Sequence, residues 1–224
     1  GGHKFDAISA SVWHTCAVAT SDAGYCWGRA SYGQLGNGET PSSATSPQLV
    51  SGGHAWKSIS VSGPQGNHTC GVTTSDVAYC WGTNTLGQIG DGTSTNSNVP
   101  VLVSGGHTWA SVSARSDAKY ALGMTTAGAA YSWGGGTSTP SLVDGGHTWA
   151  SVSTGVNHTC GVTTAGAGYC WGRNDENQLG NGGAYSNVCD GTEEPCALVP
   201  TLVSGGHTWK SISVGQEYAC GVTT

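Results

Sequence analysis

Nine cysteines and eight histidines offer most of the chemistry in this 224-residue chain, and their spacing narrows what that chemistry is. Three cysteine pairs recur ten residues apart: Cys16 with Cys26, Cys70 with Cys80, and Cys160 with Cys170. Each pair brackets a turn such as Thr74-Ser75-Asp76 between two short β-type segments. A symmetric hairpin then sets the two thiols directly opposite each other. Opposed residues on antiparallel neighbours have Cα atoms about 4.5–5.5 Å apart, within disulfide reach. At the equivalent positions of one copy stand Leu122 and Ser132, so both sulfurs are missing together, as bonded partners require. Cys189 and Cys196 close a short loop of their own, while the repeat partner of Cys220 would fall beyond the last residue, Thr224. Zinc needs Cys-x2–4-Cys spacing and four convergent ligands, and neither is present; free buried thiols are the other alternative. Disulfides are the expected state. They imply an oxidising compartment, placing the chain outside the cell or on its surface.

No catalytic set accompanies these residues. There is no Gly-x-Ser-x-Gly elbow and no Walker-type loop, and the carboxylates are scattered. The Gly-Gln-Leu-Gly-Asn-Gly segments lack Lys and open no helix, so they read as turns rather than phosphate cradles. A non-enzymatic chain with no metal and no cofactor is expected. Charged residues are only 9%, against about 25% in an average soluble domain. Seven Lys and Arg against thirteen Asp and Glu leave a net charge of −6. A duplex-binding surface needs clustered cations to displace counterions, so nucleic acid is not an expected partner. No apolar run approaches the roughly 20 residues that span a bilayer. With no initiator Met and no signal-peptide pattern, the chain is expected to be a processed product or a piece of a longer one.

The elements that position the cysteines repeat. Gly-Gly-His ends at His3, His54, His107, His147 and His207, giving periods of 51, 53, 40 and 60 residues. Periods of this size belong to propellers and solenoids, whose units bury their apolar faces against each other. The repeats read as 1–51, 52–104, 105–144, 145–204 and a partial 205–224, within one region spanning 1–224. In the second, Trp56 to Val61 alternates Ile59 and Val61 with Ser58 and Ser60, the period-2 pattern of a strand, with small residues suited to crowded packing. His68 to Thr73, Ala78 to Gly82 and a segment opening at Pro100 supply three more. Four short strands and no helical periodicity match one blade of a β-propeller.

The phrase resembles the regulator of chromosome condensation (RCC1) repeat, in its disulfide-bearing bacterial extracellular form. His68-Thr69-Cys70, Tyr79-Cys80-Trp81-Gly82, Gly87-Gln88-Ile89-Gly90 and Pro100 carry the likeness, and the same words recur in the first and fourth repeats. The resemblance implies an all-β propeller of four-stranded blades, about four and a half present here, from a family that usually closes about seven. The third repeat departs from it by running straight from Trp133-Gly134 to Pro140. The fourth departs by an insertion between Gly183 and Val199.

Binding residues are expected where the copies disagree. His14, His68 and His158 alternate with Tyr120 and Tyr218, and all but one Trp follow the repeat, so these rings are assigned to packing. Just before the His or Tyr, however, stand Trp13, Asn67, Lys119, Asn157 and Glu217. Variable loops on a repeated scaffold are where recognition is built, though drift at an exposed loop is the plainer alternative. The insertion, with Tyr185, Asp190, Glu193 and Glu194, is the second candidate surface. The first functional expectation is a module that binds a protein or a glycan through these loops. The second is a structural subunit completed by strand pairing with a neighbour at the unfinished last blade. Guanine-nucleotide exchange, implied by the resemblance alone, is the third; the cysteines and the scarcity of cations argue against it.

Overall fold

The computed structural model describes residues 2–63, 66–114, 119–183, 187–189 and 194–224. The first repeat forms β1 (Phe5–Ala10), β2 (His14–Ala19), β3 (Gly24–Arg29) and β4 (Ser43–Leu49), paired in that order as one antiparallel sheet. The second forms β5 (Trp56–Val61), β6 (His68–Thr73), β7 (Ala78–Gly82) and β8 (Ser97–Leu102). The third has β9 (Trp109–Ala114), β10 (Tyr120–Thr125), β11 (Ala130–Gly134) and β12 (Thr137–Leu142). The fourth has β13 (Trp149–Thr154), β14 (His158–Thr163), β15 (Gly168–Arg173) and β16 (Cys196–Leu202). β17 (Trp209–Val214) and β18 (Ala219–Thr223) make a two-stranded sheet. This is the expected all-β class, in four blades and half of another. Two compact units hold them, Gly1–Thr126 with Tyr131–Ser141, and Ala127–Ala130 with Leu142–Thr224.

The cysteine pairs meet as the hairpin register requires: Cys16 opposes Cys26, Cys70 opposes Cys80 and Cys160 opposes Cys170. All three are disulfides, with Cα atoms 4.1, 4.0 and 4.1 Å apart, and their sulfurs lie in the buried cores. Cys189 bonds Cys196, and Cys220 is free and exposed. The fourth strand differs from its expected start. It begins at Ser97 rather than Pro100, and Pro100 falls in a register irregularity between the Cys80–Val101 and Gly82–Ser97 pairs. Pro47 and Pro200 occupy the same place in β4 and β16. The outermost strand bulges where a residue without an N–H interrupts the ladder.

Within the first unit one tryptophan packs both its own blade and the joint to the preceding one: a Cβ at Gly24 of the first blade would sit 2.7 Å from the Trp56 ring. The Trp56 ring lies so close over Gly71 that a Cβ there would sit 2.7 Å from it, and Trp109 and Gly123 repeat the arrangement at 2.4 Å. The first repeat has Ala17 at the glycine position and Phe5 at the tryptophan position, a smaller ring leaving room for a methyl. Trp56 and Trp81 meet at a tilt with ring centroids 5.4 Å apart, both fully buried. The serines that alternate along the first strands also bond between blades. Ser9 Oγ accepts from the Val61 amide at 3.1 Å, and Ser60 Oγ accepts from the Ala114 amide at 3.2 Å. In the second unit Ser153 Oγ accepts from Val214 at 3.1 Å.

The Gly-Gln-Leu-Gly loop supplies the other half of the joint. The Gln34 carbonyl accepts from Trp81 Nε1 at 3.0 Å and from Thr69 Oγ1 at 2.8 Å. Having given its proton to Gln34, the Thr69 hydroxyl accepts from His14 Nε2 at 2.9 Å. This sets His14 as the neutral Nε2–H form. His68 has the same place in the next blade, but Ala121 replaces the threonine, and neither His68 ring nitrogen has a hydrogen-bond partner among the described residues. Burial lowers the pKa of His14 from 6.5 to about 4. Burial, and secondarily His14, lower that of His68 to about 3.

Three outcomes follow. Gly71→Ala should destabilise the protein by about 1–3 kcal/mol through overpacking, and adding Trp56→Phe should recover part of that in urea melts. Thr69→Ala should cost about 1–3 kcal/mol by orphaning His14. Thr159→Ala should cost less, because Thr159 Oγ1 has no partner among the described residues. Both histidines have folded pKa values below the unfolded one, so the unfolded state binds more protons. Their contribution to stability is complete above about pH 6.5 and declines as pH falls toward 4. Urea midpoints at several pH values should show this decline, and His68→Leu should flatten it.

Candidate functional site

The turns joining the first and second strands of the blades are held by one recurring backbone hydrogen bond. Arg29 N donates to the Trp13 carbonyl at 2.8 Å, Thr83 N to Asn67 at 2.8 Å, and Arg173 N to Asn157 at 3.0 Å. The shortened third blade does the same with Gly135 N and Lys119 at 2.9 Å. Gly28 makes this approach possible: its φ is +105°, and a Cβ there would meet the Trp13 carbonyl oxygen at 2.6 Å. Only a carbonyl is required of the residue before the His or Tyr, which is why its side chain is free to differ between copies.

The side chains at that position then part ways. Trp13 is 46% exposed. Asn67 is half-buried and accepts from Gln34 Nε2 at 3.2 Å, tying it to the loop of the preceding blade. Lys119 and Glu217 are exposed, and Asn157 is half-buried. In the insertion, Glu194 pairs with Arg173 at 2.8 Å. Tyr185, Asp190 and Glu193 lie outside the described residues.

Two arginines that the sequence reading passed over organise these surfaces. Arg29 and Arg173 hold the same place after Trp-Gly in the first and fourth repeats. Arg29 has its Cζ 5.3 Å from the Trp13 ring centroid and 5.2 Å from that of Tyr32, which is 41% exposed. A cation over aromatic faces at this distance is attracted by the ring quadrupoles. Arg173 instead donates Nε to Asp175 at 2.6 Å, pairs through Nη2 with the same carboxylate, and is joined by Glu194. The hydrogen bond to Asp175 raises the Arg173 pKa, and that from Arg173 lowers the Asp175 pKa. Aligning Arg29-Ala30-Ser31-Tyr32 with Arg173-Asn174-Asp175-Glu176 is the sequence signal that would have found the difference.

A cavity of about 260 Å³ lies in the second unit, lined by Leu179, Val203, Trp209, Ile212, Tyr218 and Cys220 among others. In the first unit the equivalent spaces hold Trp81 and Trp133, each donating Nε1 to a Gln carbonyl, at 3.0 Å to Gln34 and 2.9 Å to Gln88. The histidines of Gly-Gly-His are ring-packed: His3, His54, His107 and His147 stack on Tyr25, Tyr79, Tyr131 and Tyr169 at 4.1–4.3 Å. Among the described residues no three His, Cys, Asp or Glu side chains converge as metal ligands. Nor, among the described residues, is any helix long and apolar enough to cross a membrane.

The model of the regulator of chromosome condensation (RCC1) repeat matches residues 24–71, 75–115 and 166–222, and a second model of that repeat matches 149–178. The human E3 ubiquitin-protein ligase HERC2 is 31% identical over 130 residues, 58% of this chain and 3% of that protein. Human WBSCR16 superposes with a TM-score of 0.80 at 16% identity, covering all of this chain and 59% of its own. Prp20p of Saccharomyces cerevisiae, studied for its binding to Gsp1p and histones, gives 0.77 at 18% identity, covering all of this chain and 57% of its own. The chain thus spans less than two thirds of each of these proteins. Since the repeat models together match more than half of its residues, and match them at the blades, this chain belongs to the RCC1 repeat family.

Proposed function

We propose that this chain is an extracellular, non-enzymatic binding module that engages a partner protein through the loop surface around Trp13. One observation carries the reading. The His and Cys of His-Thr-Cys and the Gln-Leu pair of the loop, which recur in the repeat, are buried in the blades and their joints, whereas Trp13 departs from the repeat and sits exposed beside Arg29 and Tyr32. Trp, Tyr and Arg are the residue types that dominate interface energetics. Four disulfides support an oxidising location, and an extracellular glycan is the alternative partner.

A second reading, strand addition, has its own support. β18 is the edge of a two-stranded sheet and lies beside a cavity equivalent to the spaces that Trp81 and Trp133 occupy. A strand bearing Cys-Trp-Gly is the complement of that edge. Sedimentation over a range of concentrations tests self-assembly by this route; a species that stays monomeric throughout removes it.

For the first reading, the immobilised protein should capture a partner from extracellular material of its source. Trp13→Ala should reduce that capture about tenfold or more, the cost of losing an interface anchor. Undiminished capture by a folded Trp13→Ala protein would overturn the assignment. Capture that survives deglycosylation of the material but not its proteolysis identifies the partner as a protein.

A further inference from the structure

We infer that the Trp13–Arg29–Tyr32 cluster is a carboxylate-recognition site that takes an acidic side chain of the partner protein; the inference rests on the binding surface proposed above. The repeat itself provides the comparison. Arg29 and Arg173 follow the same Tyr-Cys-Trp-Gly phrase and donate the same backbone hydrogen bond to the preceding turn. In the fourth blade the chain supplies the carboxylates itself, Asp175 and Glu194, and Glu217 adds to the field. In the first blade Ser31 and Tyr32 replace Asp175 and Glu176, and Trp13 replaces Asn157. Among the described residues no carboxylate lies within ion-pair distance of Arg29. One guanidinium is therefore neutralised from within, and its counterpart is left for a ligand.

The geometry selects how that ligand approaches. A ring near the guanidinium carbon accepts no N–H hydrogen bond of the ordinary kind, so the N–H groups of Arg29 stay available as donors. A carboxylate binds a guanidinium in its plane, through two parallel hydrogen bonds. Trp13 and Tyr32, exposed by 46% and 41%, form an apolar border to the guanidinium. Covered by a partner, such a border excludes water and strengthens the ion pair beside it.

Charge narrows the class further. With thirteen acidic residues against seven basic ones, the chain has no cation cluster to hold a polyanion. A single fork of donors suits one carboxylate. A protein carboxylate fits better than a uronic acid, because a sugar ring stacks on an open aromatic face and Arg29 already covers one face of each ring.

The test is a ¹H–¹⁵N titration of the whole chain, following the Nε–Hε signals of Arg29 and Arg173 and the indole signal of Trp13. The probes are a hexaglutamate peptide, a hexaglutamine peptide and a hexagalacturonate. Hexaglutamate should shift Arg29 and Trp13 saturably and leave Arg173 in place, and hexaglutamine should shift neither. Arg29→Gln should weaken binding at least about tenfold, the scale of a lost charge-assisted pair. The double variant Ser31→Asp, Tyr32→Glu transplants residues that the fourth blade already tolerates, and should silence Arg29 by the same margin. No shift with hexaglutamate, wild-type binding by the double variant, or an equal response to hexagalacturonate overturns the inference. If hexaglutamate fails while Trp13→Ala still abolishes partner capture, the binding surface stands and only its carboxylate chemistry falls. If hexaglutamate binds while Trp13→Ala leaves capture intact, the carboxylate site stands and the partner surface lies elsewhere.

Discussion

A tryptophan buried between two β-sheets brings an indole N–H that must find an acceptor where there is no water, and much of the first unit is arranged around that need. Trp81 is fully buried and bonds to the carbonyl of Gln34, a residue of the preceding blade's loop. Trp133 does the same with Gln88. Leaving such a donor unmet costs about 1–3 kcal/mol, so the loop has to present its carbonyl at one place. Gln34 accordingly bonds its own loop, accepting from the Tyr32 amide at 2.9 Å, and braces it against Asn67. Thr69 donates to the same carbonyl and accepts from His14, which extends the joint into the second strands of both blades.

This requirement separates the residues that are constrained from those that are free. The Trp-Gly and Gly-Gln-Leu-Gly words are the two sides of one hydrogen bond, the opposed cysteines seal the core beside it, and the small residues clear space for the rings. Outside the joint, what the repeat requires of a residue is what its backbone must do. At position 13 that is to offer a carbonyl to Arg29, and any residue offers one. A scaffold whose turns differ in their side chains while keeping one backbone hydrogen bond is well suited to recognition. The contrast between Arg29 and Arg173 follows from this freedom. One backbone position presents the same cation in two settings, one closed by the chain's own carboxylates and one bordered by exposed rings.

The likeness to HERC2 and Prp20p fits a scaffold whose contacts are internal and whose surfaces vary. Function in such a chain is argued from its departures from the repeat rather than from the repeat itself.

The sequence by itself determined the blade. Repeat period, alternation within the first strands and the ten-residue cysteine spacing are local patterns, and each follows from strand geometry alone. Hence the strand positions, the three cross-strand disulfides and the packing role of the histidines could be read in advance. Position 13 could be marked as variable for the same reason, and the insertion could be seen as an added loop. What only the tertiary structure decided lies between blades, where partners are about fifty residues apart and no local pattern joins them. It makes the alternating serines hydrogen-bond acceptors for the next blade's first strand, leaves the His68 ring nitrogens without a hydrogen-bond partner among the described residues, and moves Pro47, Pro100 and Pro200 into bulges. It also set two aromatic rings against Arg29 and two carboxylates against Arg173. An arginine's role depends on which charges the folded chain brings near it, and its own position in the sequence does not contain that information.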